Sequence, residues 1–380
     1  MRRFAMMLPL ALCAFTQSRA DYREGYYDLL DGKVCSELKT AAKTCVCVHQ
    51  RRVYAALPNH WLDTDVYPDT YKNYRDEDCL RWWDMYSDEV YLIFPGQAGK
   101  TAFSICKMQR EHAVPKSWWK AGDDVEYTPA YTDLWNLYPS DGPANQAKSN
   151  YPLGVTRTAT FDNGVSKVGV PVEGIGGGAG NVFEPSDEYK GDFARAFFYM
   201  ATVYDHLPWV SSGTSGRYNM YESNAWPTLK DWAVEMLLDW SRRDPVSDKE
   251  IARNDAVETQ QGNRNPFVDF PELAEFVWGK RMSQTFYVSE QETLIPTDPD
   301  DSAVDSVIGD GDGDSWIGIV DGGFSIVHVS GVSDLLVYDM SGRMVMHETR
   351  AAYGECFMLP RGIYVVVCRG GMTPVKIVVR

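Results

Sequence analysis

Apolar positions recur at helical spacing along much of the chain. Val34, Leu38, Ala41, Ala42 and Cys45 follow "DLLDGK" three or four residues apart, which predicts an amphipathic helix. From Asp192 to Tyr204 a second stripe gathers Phe193, Ala196, Phe197, Met200 and Val203, a helix expected to lie in the core. A third helix opens at Pro227, a residue suited to a first turn, and runs to about Arg242. The next begins with Ser247-x-x-Glu250, a capping box, and stops near Gly262. "PELAEFVWG", Pro271 to Gly279, has proline at its entry and glycine at its exit. Residues 50–105 instead mix short apolar runs such as "VYLIF" with turns, a pattern of strands and loops. The main body therefore reads as a helix-rich α+β domain over 21–295.

The pattern changes on either side of it. Residues 296–316 hold seven aspartates and no cation, which predicts a solvated linker. The alternation of Asp310, Asp312 and Asp314 lacks the terminal glutamate and full spacing of a calcium-binding loop. Within 317–380, "FSIVHVS", "DLLVYDM", "MVMHETR", "GIYVVVCR" and "PVKIVVR" are parted by glycine-containing turns, which predicts a small antiparallel sandwich. Residues 1–20 carry Arg2 and Arg3, then an apolar run from Ala5 to Phe15 and a Ser18-Arg19-Ala20 ending, the marks of a cleavable export signal. No internal stretch is long and apolar enough to span a bilayer.

At 380 residues, 44% of them hydrophobic, the chain can build two cores. Its net charge of −16 excludes a general nucleic-acid coat, because phosphate affinity grows with the cations a protein supplies. A polyanion would have to be gripped by a local cationic site or a bound metal. Removing the signal takes Cys13 and leaves seven cysteines, Cys35, Cys45, Cys47, Cys79, Cys106, Cys356 and Cys368. "CVC" lacks the C-x-x-C spacing of a metal ribbon or redox motif, so exported cysteines predict disulfide staples with one thiol left over.

Candidate chemistry centres on "KMQREHAVPKSWW". Glu111 and His112 are neighbours, and neighbours on a strand point to opposite faces, so they share a site only at a strand end or bend. Pro115 supplies a break nearby. Neutral imidazole suits a general base, and a carboxylate suits a hard divalent ion that keeps several waters. In "DLWNLYPSDGPANQAKSNYPLG", Ser140-Asp141-Gly142-Pro143 predicts a turn and helix start, placing the Asn145 amide in the first helical turns. On spacing alone a Glu-His pair is more often a surface or core-capping feature than a catalytic one. The glycines of 174–180 lack the Gly-Lys-Ser/Thr of a phosphate loop and predict a flexible turn.

These segments, with "YYDLLDGKVCSELKTA", "FEPSDEYKGDFARAFFYMATVY" and "QQGNRNPFVDFPELAEFVWG" in the same order, resemble the bacterial endonuclease I family. The resemblance covers roughly residues 21–290. It implies a ββα-metal (His-Me finger) fold and a secreted or periplasmic nuclease cutting DNA, and often RNA, with little sequence preference. It implies His112 as general base and Glu111 and Asn145 as the two protein ligands of one divalent cation, Mg2+ first and Ca2+ or Mn2+ as alternatives. Arg110 and Lys116 become phosphate contacts, and Asn263 and Arg264 candidates for the nucleic-acid groove or, equally, for a bonded helix end. Where the family usually has a histidine, this chain has Trp135, which can neither take a proton nor bind a metal. That departure keeps a second reading open, a catalytically impaired surface protein that binds nucleic acid. The cadence "VYDMSGR…LPRGIYVV…KIVV" resembles the sorting domain of type IX secretion, which implies the type IX machinery as partner and delivery through periplasm and outer membrane to the cell surface or medium.

Overall fold

The computed structural model describes residues 22–292, apart from 74, 120 and 121, together with the strand segments of 317–379. The export signal and the Asp-rich linker lie outside the described residues. Two compact units divide at Ile295 and Pro296.

The first unit mixes helix and sheet. Helices α1 (Cys35–Val46), α2 (Leu57–Thr64) and α3 (Gly99–Cys106) alternate with a small antiparallel sheet of β1 (Tyr71–Lys72), β2 (Asp78–Arg81) and β3 (Leu92–Ile93). Next come β4 (Gln109–His112), β5 (Leu137–Ser140) and α4 (Gly142–Lys148), then a meander of β6 (Thr156–Asp162), β7 (Lys167–Pro171) and β8 (Val182–Glu184). The rest is helical: α5 (Lys190–Val203), α6 (Gly213–Tyr218), α7 (Asp231–Arg243), α8 (Asp248–Gln261), α9 (Pro266–Asp269), α10 (Leu273–Val277) and α11 (Val288–Glu292).

α5 is the centre of this unit. Every residue from Gly191 to Val203 is buried, so the helix is enclosed on all sides rather than along one stripe. Phe198 stacks on Trp278 at 5.1 Å and Phe197 on Tyr221 at 5.9 Å. Each such side chain contributes about 1.5–3 kcal/mol by leaving water. α8 forms as its sequence predicts, with Ser247 and Glu250 making both bonds of the capping box and Gly262 closing the helix at φ 90°.

Three expectations need correcting. Residues 50–105 contain helices α2 and α3 besides short strands. The helix expected from Pro227 begins at Asp231, because Asn224 holds the Thr228 N–H and Leu229 bridges to Tyr221. The disulfide staples are also absent among the described residues, where Cys35, Cys45, Cys47, Cys79 and Cys106 all carry free thiols.

The second unit contains two antiparallel sheets. One has the order β13 (Cys356–Met358), β10 (Gly323–Ile326), β9 (Ile317–Val320). The other has the order β12 (Met344–Ala351), β11 (Ser333–Asp339), β14 (Gly362–Arg369), β15 (Val375–Val379). Leu335, Val337 and Val366 are among its buried residues. Among the described residues, no helix of either unit is long and apolar enough to cross a membrane.

Candidate active site

β4 and β5 pair antiparallel, with Gln109 opposite Ser140 and His112 opposite Leu137, and α4 follows β5 directly. The helix starts where it does because Asp141 caps it, its Oδ2 accepting the Ala144 N–H at 2.8 Å. Pro143 occupies the first turn, where a missing N–H costs nothing. The Asp141 N–H in turn donates to the buried Asp84 carboxylate at 2.9 Å, which also accepts from the Tyr86 N–H and Ser87 hydroxyl. Burial raises the Asp84 carboxyl to about 7 against these three donors. The N-terminus of α4 is thus tied to the interior.

Glu111 and His112 are the last two residues of β4, and they meet different surroundings. The His112 ring is caged by aromatic neighbours: Tyr54 stacks on it at 6.3 Å, Tyr131 tilts against it at 5.1 Å and Trp119 presents its edge at 6.0 Å. Its Nε2 lies 3.0 Å from the Tyr131 carbonyl. A carbonyl only accepts, so Nε2 carries the proton and Nδ1 holds the lone pair. Nδ1 has no hydrogen-bond partner among the described residues. Burial, helped by the nearby Lys116 and Lys148 charges, lowers the imidazole to about 3 and so keeps it neutral.

Behind the ring, Asn136 fixes the connection between the strands. Its Oδ1 accepts the Val114 N–H at 2.8 Å, and its backbone carbonyl accepts the Ala113 N–H at 2.8 Å. Its Nδ2 donates to the carbonyls of Val114 and Ala130. The loop is thereby folded so that the Tyr131 carbonyl reaches His112.

Glu111 faces α4. Its Oε1 accepts from Lys148 Nζ at 2.6 Å, and the same ammonium donates to the His112 carbonyl at 3.2 Å. Lys148 is fully buried. Burial raises the Glu111 carboxyl and the Lys148 charge pulls it back, with a net rise. Asn145 lies one helical turn before Lys148, and residues three apart share a helix face. Its half-buried amide makes no hydrogen bond among the described residues. Nor do any three described His, Cys, Asp or Glu side chains cluster there as a metal cage. The donors offered are thus one carboxylate and one amide carbonyl, hard oxygens that suit a cation retaining most of its water.

Lys116 is exposed beside the base, its ammonium 5.2 Å from the Tyr131 ring centre. Arg110 is half-buried and already engaged, its guanidinium over Tyr54 and Phe103 and its Nη2 on the Ala55 carbonyl at 3.4 Å. Asn263 and Arg264 do not line a groove: both are fully buried. Asn263 Nδ2 donates to the Val46 carbonyl and Tyr199 hydroxyl, while Gln261 donates to its Oδ1. Arg264 is bound by Asp269, Glu258 and Asp255. Their polar capacity is spent inside the fold, which is the bonded-helix-end alternative and not the groove.

Trp135 also sits in the interior, against Arg253 at 4.9 Å and Tyr199 at 6.1 Å, and is not among the rings that contact His112. A surface hollow lies along the 174–179 turn, where Gly176, Gly177 and Gly178 take positive φ, and it contains none of these residues.

Sequence reasoning missed Tyr54, Tyr131 and Lys148. The first two belong to segments without a motif. Lys148 was findable, since "NQAK" places it one turn from Asn145.

An acceptor imidazole beside hard oxygen donors, on a strand pair that runs into a helix, is equipment for hydrolysis, and comparison with known proteins gives the class: a nuclease, hence a hydrolase. The chain belongs to the Endonuclease I family, whose sequence pattern matches residues 35–272. That family is generally dependent on a divalent metal. Among its relatives is an extracellular ribonuclease of Bacillus amyloliquefaciens, 32% identical over 265 residues, covering 67% of this chain and 78% of the relative. An extracellular ribonuclease of Bacillus subtilis (strain 168) is 29% identical over 281 residues, covering 71% and 83%. Endonuclease-1 of Buchnera aphidicola subsp. Baizongia pistaciae (strain Bp) is 25% identical over 182 residues, covering 44% and 64%.

Proposed function

We propose that this chain is an exported, divalent-metal-dependent endonuclease of the His-Me finger type that hydrolyses DNA and RNA with little sequence preference. The observation that carries it is the His112 ring, with Nε2 committed to the Tyr131 carbonyl and Nδ1 left as a lone-pair acceptor. His112 Nδ1 takes the proton of a water aligned on phosphorus. Glu111 and Asn145 would hold the cation, Mg2+ in the first place and Ca2+ or Mn2+ as alternatives. When bound, it would neutralise the charge developing on the phosphate and on the leaving 3′ oxygen. Lys116, exposed beside the base, steadies a neighbouring phosphate. Arg110 is proposed as a further phosphate contact, reached from its seat on Tyr54. Trp135 is a packing residue in this scheme, so its replacement of a histidine leaves the base intact.

In this reading residues 1–20 are the export signal, 21–295 the catalytic domain, 296–316 a linker and 317–380 a β-sandwich sorting domain for type IX secretion. The extracellular relatives and the antiparallel strands beyond residue 316 support delivery to the cell surface or medium.

The test is digestion of supercoiled plasmid and of structured RNA by the full chain, with magnesium and with a chelator. Metal-dependent degradation that disappears in His112→Ala is expected. Intact nucleic acid that still shifts on a gel would make this a binding protein of the same fold.

A further inference from the structure

Lys148 is an unusual choice for the interior. Lysine is almost never fully buried unless paired, and its ammonium has three donors to satisfy. Here two go to Glu111 Oε1 at 2.6 Å and the His112 carbonyl at 3.2 Å, and its stem lies near Phe183, with Nζ 6.0 Å from that ring centre. Its acceptors are thus the carboxylate of one proposed site residue and the backbone of the next. Its own helix carries the third, Asn145, one turn earlier. A carboxylate has two oxygens and about four lone-pair positions, so the ammonium at Oε1 does not exhaust Glu111.

We infer that Lys148 is a positioning residue of this site, a buried ammonium that locks the Glu111 carboxylate and the His112 backbone to α4 and so keeps the ion-binding pair Glu111 and Asn145 in register. This rests on the proposed ion site. Lys148 touches neither substrate nor reacting atoms; it acts through Glu111. A long flexible carboxylate side chain that is not held must lose rotamer freedom each time an ion binds, and fixing it beforehand removes that cost. A guanidinium could serve the same two acceptors, whereas a thioether of similar length could serve neither.

The experiment titrates Mn2+ into the full-length protein without nucleic acid, following free Mn2+ by electron paramagnetic resonance, and measures kcat and KM separately. Lys148→Met is expected to raise the Mn2+ dissociation constant at least about five-fold. It should also lower kcat at saturating Mn2+ at least about ten-fold, with KM for nucleic acid nearly unchanged, and Lys148→Arg should recover most of both. Folded Lys148→Met with wild-type Mn2+ affinity and kcat overturns the inference. If Lys148→Met does not fold, Lys148→Gln decides, because its shorter neutral amide replaces the charge that holds Glu111: wild-type Mn2+ affinity in that variant overturns the inference equally. Glu111→Gln serves as the control. Should it bind Mn2+ as the wild type does, the ion site itself is misplaced and the failure lies with that reading, whereas loss of binding in Glu111→Gln alone counts against Lys148.

Discussion

Two polar clusters in this molecule use the same kinds of residue and end up as opposites. Around "GNRNPF", Asn263, Arg264, Asn265 and Asp269 join Asn254, Tyr27 and Tyr199 in a buried network where amide, guanidinium and carboxylate all find partners. Around "REH", the Lys148 ammonium is used, but the Nδ1 of His112 and the amide of Asn145 make no hydrogen bond among the described residues. Buried polar groups are normally satisfied, so unspent capacity next to solvent is what separates a site from a scaffold. Residue type does not tell them apart.

Substitutions sharpen this contrast. His112→Ala should cut the rate about 10²–10⁴-fold, the range for loss of a general base, while the melting temperature stays within a few degrees. Plasmid digestion beside thermal unfolding checks both halves, and a variant that keeps most of its activity would break the comparison. Arg264→Ala should do the reverse. Removing one member of a buried charge network costs about 3–5 kcal/mol, so denaturant midpoints should fall steeply while the fraction still folded keeps its kcat. Asn145→Ala should be milder, a roughly five- to ten-fold higher magnesium requirement for half-maximal cutting with little change at saturation, by analogy with the loss of one neutral contact. Titrating magnesium at fixed plasmid reads it directly.

A last effect concerns the anchor of α4. Asp84 has a folded-state value near 7, above the ordinary carboxylate value of 3.8, so between these limits the folded protein binds more protons than the unfolded chain. Stability from this group is full below pH 3.8 and is lost as pH rises through about 7. Asp84→Asn lacks that dependence. Its stability relative to wild type should therefore improve from pH 4 to pH 8, whatever constant offset its altered hydrogen bonds impose. Urea midpoints at the two pH values measure the change, and a gap that moves the other way refutes the protonation sense.

Much of the framework was legible beforehand. α1, α5 and α8 follow from apolar spacing and from the Ser247–Glu250 box, since these are local signals. α4 follows from Asp141 and Pro143. α2 and α3 were missed because each is eight residues long, too short for a periodic stripe to stand out from the strands around it. Nor could Asn263 and Arg264 be sorted from the site: the partners of Asn263, Val46 and Tyr199, come from distant segments, and those of Arg264, Asp255, Glu258 and Asp269, are near in sequence but are brought onto it only by the fold. The cage around His112 was invisible for the same reason: Tyr54 and Tyr131 lie on either side of it in the chain and meet it through folding alone.

The unpaired sulfurs of Cys35, Cys45, Cys47, Cys79 and Cys106 carry a practical corollary. A unit whose described thiols are all unpaired needs no covalent staple among them to hold its shape. Dithiothreitol should leave both its unfolding curve and its cutting untouched, so the enzyme can be prepared, stored and assayed under reduction.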